Sequence, residues 1–192
     1  MNEIELIRAQ LDVERQHAGA VANACASALG RAEARALAGG SPLGQFRQAC
    51  VDYLVCVLAW FEERDQRLAE LWPTRRAATE GPRRALDEVL SRRGRSREAL
   101  EKLEAALATT ASAEPAAHRS WQDFAEFFES AWNARRIAID ELLARAASTA
   151  EWRLVGGIDA DSILGERRRY ARVAETLPEG ETLALPRQNR GA

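Results

Sequence analysis

Apolar residues recur at alternating spacings of three and four along the first part of the chain, at Ile4, Ile7, Leu11, Ala18, Val21, Cys25 and Ala28. That is the period of a helix with one buried face. No Pro interrupts the stretch from Ile4 to about Ala36, and Gly39-Gly40 follows it, the residue type that accepts the left-handed conformation after a helix end. Ser41-Pro42 then supplies a cap and a first-turn Pro for a second helix running from Pro42 to about Trp72, closed by Pro73. Between Cys50 and Phe61 nearly every residue except Asp52 is apolar, which predicts either a central position or a homodimer interface for this helix. A third helix is expected from about Pro82 to Ala108, with a break at its polar middle, Arg92 to Arg97. A fourth, from about Ala117 to Ala147, carries Trp121, Phe124, Phe128, Ala131, Ile139 and Leu142 on its inner stripe. Ser148 and Glu151 have capping-box spacing ahead of a short helix bearing Trp152 and Val155. Asp159 or Asp161 can cap a last helix through Ile163, Leu164, Tyr170 and Val173, and residues 177–192 are expected to form a disordered tail with little to bury.

Four rods of this length predict an all-α fold, an antiparallel up-down-up-down four-helix bundle with short C-terminal helices in a single domain of residues 1–176. Composition agrees, because the 46% apolar fraction is largely Ala and Leu and the 29% charged fraction is largely Arg and Glu, all strong helix formers. A net charge of −2 supplies no field that would draw the chain to nucleic acid or to an anionic membrane. Lys102 is the only lysine, so the abundance of Arg carries no functional weight of its own. The acidic N-terminal segment Met1-Asn2-Glu3 and the lack of an apolar run of about 18 residues predict a cytoplasmic protein without a membrane span. Cys25, Cys50 and Cys56 form no CxxC pair and fall within helical patterns, which predicts free thiols.

Candidate chemistry lies where the apolar seams are interrupted. Extending the first stripe from Leu11 toward Ala18 requires a core residue at Glu14, with Gln10 and His17 on the same face. The second stripe, Leu43, Phe46, Cys50, Tyr53, Val57 and then Trp60 or Phe61, continues through Arg64, and the fourth passes through Arg135 between Ala131 and Ile139. An up-and-down bundle would gather Glu14, His17, Arg64 and Arg135 into one interior cluster, joined by Arg93 or Arg97 from the third helix. Unpaired burial of such groups costs several kcal/mol each, so they must pair, hold a ligand or reach water. Three readings follow: an ion-paired network, an Arg-lined pocket for an anionic small molecule, and a metal site. The metal reading rests on Glu14-Arg15-Gln16-His17, an ExxH that places a carboxylate and an imidazole on one helical face, with oxygens available from Glu62, Glu63, Asp65, Asp140 and Glu141. A second ExxH is missing, since His118 is the only other histidine. No GxSxG, HExxH or Gly-rich phosphate loop occurs, so a non-catalytic protein is expected.

Leu11 to His17, Trp60 to Pro73 with its closing Leu71-Trp72-Pro73, and Ala144 to Trp152 with Glu151-Trp152 resemble helix segments of the hemerythrin HHE cation-binding family. The likeness spans roughly residues 4 to 170. It implies a four-helix bundle of that plan, which in the family holds non-heme iron between its helices. Only His17, with Glu14 beside it, matches a ligand position, and Arg64 and Arg135 stand where the family places His or Glu. The resemblance thus implies a bundle of that type with a degenerate metal site; the polar layer is read as a Glu14 to Arg64 or Arg135 salt bridge in place of the metal and the chain as a non-catalytic binding or sensing module, the alternative being a genuine iron or other divalent-metal protein using His17 and Glu14.

Overall fold

A computed structural model describes residues 2–35, 42–71, 95–109, 118–130, 148–156 and 159–183, together with single positions at 80, 83, 84, 87 and 91. Every regular element among them is helical, and no strand occurs among the described residues. We label the helices α1 (Glu3–Arg35), α2 (Pro42–Leu71), α3 (Arg95–Thr109), α4 (the helical run 118–130), α5 (Thr149–Gly156) and α6 (Ala160–Glu175). None of the described helices is long and apolar enough to cross a membrane.

Local rules account for the helix starts. Asn2 and Glu5 cap α1 reciprocally: the Glu5 amide donates to Asn2 Oδ1 at 2.9 Å and the Asn2 amide donates to Glu5 Oε2 at 2.8 Å. Ser148 and Glu151 form the expected box, with the Ser148 amide 2.7 Å from Glu151 Oε2. Asp159 caps α6 by accepting from the Ser162 amide at 2.7 Å, and that bond holds the Asp159 carboxyl below the usual carboxylate range. The glycine pair expected to end α1, the polar middle of the third helix before Arg95, and positions 131–147 of the fourth lie outside the described residues.

The predicted stripes are the ones that pack. Leu11, Ala18, Val21, Cys25 and Ala28 of α1 are buried, as are Phe46, Cys50, Tyr53, Val57 and Phe61 of α2. Trp121, Phe124 and Phe128 bring α4 into the same core, together with Leu100 of α3 and Val173 of α6. Helix α2 is the central element, touching α1, α3, α5 and α6. Its long apolar stretch is used inward on several sides, and Val55, at 42% exposure, is the one large apolar side chain it exposes among the described residues.

Two expectations about the C-terminal part differ from what is observed. Leu164 is exposed, and the seam of α6 instead runs through Ile163, Glu166, Tyr170 and Val173, spaced three, four and three residues apart. The described chain also continues past the expected boundary at residue 176, because Leu177 and Leu183 pack against the core and so have apolar surface to bury.

Helix α5 is seated on the N-terminal end of α1. Trp152 is buried with the Arg8 guanidinium 5.9 Å from its ring centre, and Arg153 Nη2 reaches Glu3 Oε2 at 2.6 Å. Gly156 packs directly on the Ile7 side chain, since a Cβ there would lie 2.3 Å from Ile7 Cγ2, a methyl of a β-branched side chain with little freedom to move. Gly156→Ala is therefore expected to cost about 1–3 kcal/mol through overpacking, read as a lower urea midpoint with an unchanged slope.

Candidate functional site

Glu14 and Arg64 meet in the interior between α1 and α2. Glu14 is 0% exposed and Arg64 4%, and Arg64 Nη1 donates to Glu14 Oε2 at 2.6 Å while Nη2 lies 3.4 Å from Oε1. This two-pronged approach is the geometry in which a guanidinium best satisfies a carboxylate. Gln10 Nε2 donates to Glu14 Oε1 at 3.2 Å, and the Phe61 ring centre lies 5.7 Å from the Arg64 guanidinium carbon. Each ion thus has an opposite charge and a direct hydrogen bond in the interior.

One helical turn along α1, His17 belongs to a second polar group. Its Nδ1 lies 2.8 Å from Glu166 Oε1, and the Tyr53 hydroxyl donates to that same oxygen at 2.7 Å. Glu166 comes from α6 and is 1% exposed, whereas His17 retains 21%. Tyr170, one turn beyond Glu166, stacks on the His17 imidazole with ring centres 3.9 Å apart and planes inclined by 14°, and it meets Tyr53 edge-on at 5.8 Å. Helices α1, α2 and α6 therefore each supply one hydrogen-bonding member.

Burial, and then the neighbouring Glu166 carboxylate, hold the Tyr53 phenol far above its ordinary value, so it remains a donor throughout the neutral range. Tyr170 is raised for the same reasons. In the unfolded chain a tyrosine loses its proton near pH 10, while folded Tyr53 keeps it. The stability linked to this raised value is complete below that pH and falls above it, by up to about 1.4 kcal/mol per pH unit for one group. Urea midpoints taken on the alkaline side should decline less steeply in Tyr53→Phe than in the unaltered chain.

Among the described sequence candidates, Arg97 and Glu63 take partners away from this centre. Arg97 is exposed and pairs with Glu62 at 2.9 Å, so it belongs to the α2–α3 surface. Glu63 pairs with Arg67 along α2. Arg93, Arg135, Asp140 and Glu141 lie outside the described residues. His118 is half-buried over Gly30, where an added Cβ would come within 2.9 Å of its Nε2. Cys25, Cys50 and Cys56 are free thiols; burial raises Cys25 well above its ordinary value, with a contribution from adjacent Cys50, and raises Cys56 as well. Raised thiols are poor nucleophiles and poor metal ligands.

The ExxH pair does not converge. Glu14 turns to Arg64 and Gln10, and His17 turns to Glu166. A guanidinium 2.6 Å from Glu14 Oε2 occupies the position a bound cation would need, and it cannot deprotonate to become a ligand. Among the described residues, no group of three or more His, Cys, Asp and Glu side chains is arranged to hold a metal ion. The donor set that the described residues place around Glu14 thus does not fit iron.

Glu166, Tyr53 and Tyr170 were not singled out as site residues by sequence. For Glu166 the signal was present: it stands on the seam of Ile163, Tyr170 and Val173, a charge in an apolar stripe like Glu14 and Arg64. Tyr53 reads as an ordinary core aromatic, because only its hydroxyl partner gives it a polar role. No family model, curated protein or solved structure matches the chain.

Proposed function

We propose that the chain is a non-catalytic binding or sensing module of the cytoplasm, a four-helix bundle on the hemerythrin-like plan whose interior charge is balanced by its own side chains in place of a metal. The observation that carries this reading is the buried Glu14–Arg64 pair, a fixed cation joined to the carboxylate of the ExxH segment. A protein that placed a divalent ion here would need Glu14 free and a second ring of ligands. Non-catalytic action is supported by the raised thiols, Cys25 and Cys56. An anionic ligand held by Arg64 is less well supported, because that guanidinium is already neutralised by Glu14.

Elemental analysis of the purified full-length chain tests the reading. Metal well below one equivalent, with a melting curve unchanged by a chelator, is the expected result. Near-stoichiometric iron that is lost in Glu14→Ala or His17→Ala would overturn it.

A further inference from the structure

The second polar group has the form of a receptor with its ligand in place. Tyr53 of α2 donates to one carboxylate oxygen, His17 Nδ1 of α1 donates to the same oxygen in the tautomer that carries its proton there, and that carboxylate arrives on a different helix, α6. Both donors also pack against Tyr170, which shares α6 with the acid they hold. Tyr53 is fully buried in the α2 stripe, and His17 lies on the same face of α1 as buried Glu14. Their chemistry selects the occupant: two N–H or O–H donors converging on one oxygen, with Arg64 already taken by Glu14, match a single carboxylate. The rings of Tyr53 and Tyr170 set apolar surface beside this position, which suits a small organic acid.

We propose that Tyr53 and His17 form a monocarboxylate-binding site on α1 and α2, which Glu166 of α6 fills as an internal ligand. This deepens the reading of the chain as a binding module by naming a ligand class, and it uses residues other than Glu14 and Arg64. Glu166 acts here as a built-in occupant, so an external acid enters only when that side chain is withdrawn. Truncating Glu166 to Ala removes a methylene and a carboxylate, and acetate carries those same groups. It is therefore the probe that matches the vacancy.

The experiment follows thermal unfolding of the full-length chain and of Glu166→Ala in sodium acetate and in sodium chloride at equal ionic strength. Glu166→Ala should melt below the unaltered chain in chloride. Acetate should raise its Tm by about 3–6 °C for each tenfold excess over the acetate Kd, following the ligand-linkage relation. The unaltered chain, whose site is filled, should show no such gain, and Glu166→Ala combined with Tyr53→Phe should lose most of it. Equal responses of all three proteins, or no response in Glu166→Ala, would overturn the proposal. Should Glu166→Ala be unfolded in chloride, recovery of helical signal in acetate supports the site, and an unfolded chain in both salts overturns it. Either failure leaves the metal analysis and the Glu14–Arg64 pair untouched, so the two readings fall separately.

Discussion

Arg64→Met lowers the folding free energy by about 3–5 kcal/mol, because it removes one member of a buried ion pair and leaves Glu14 with its charge uncompensated. The size follows from burial more than from the attraction itself. Glu14 has no exposure at all, so water cannot replace the guanidinium, and Gln10 offers a single neutral donor at 3.2 Å. The thioether of Met fills much of the aliphatic volume of Arg, which keeps loss of packing a minor part of the effect. Arg64→Lys should fall between the two, since it restores a charge without the two-pronged contact. Chemical denaturation at neutral pH reads the effect, and a variant with an unshifted midpoint would show that Glu14 reaches water.

Trp121→Ala is expected to cost a similar amount, about 3–5 kcal/mol, for a different reason. Trp121 is fully buried and begins an aromatic ladder with Phe124, whose ring centre lies 6.1 Å away, and Phe128, 5.9 Å further on. Those three side chains are the ones by which α4 enters the common core. Removing the indole leaves a cavity that neighbouring helices fill only in part. For a chain of this length the loss corresponds to a Tm lower by about 6–20 °C. A shift within a degree or two would mean that α4 contributes little to the core.

Much of this architecture was legible because helical period and burial are the same signal. The stripes through Leu11, Val21 and Cys25 and through Phe46, Tyr53 and Val57 name residues that are buried. A charge on such a stripe identified Glu14 and Arg64, and their contact follows from the need to neutralise both in the interior. What sequence did not reveal is which helix faces which. The short α6 reads as an appendage, yet it packs on α2 and delivers Glu166 to the polar layer. Nor does spacing foretell that His17 and Glu14, three residues apart on one face, take separate partners. Partner choice depends on the relative height and rotation of helices far apart in the chain, and the periodicity of one helix holds no record of either.

The most direct test of the self-neutralised interior is the double-mutant cycle formed by Glu14→Leu, Arg64→Met and their combination, with folding free energies from denaturant unfolding. A pair joined as described predicts two costly single changes and a combination much less costly than their sum, because apolar side chains of similar volume can replace a buried ion pair without stranding a charge. Additive losses in the combined variant would contradict the account.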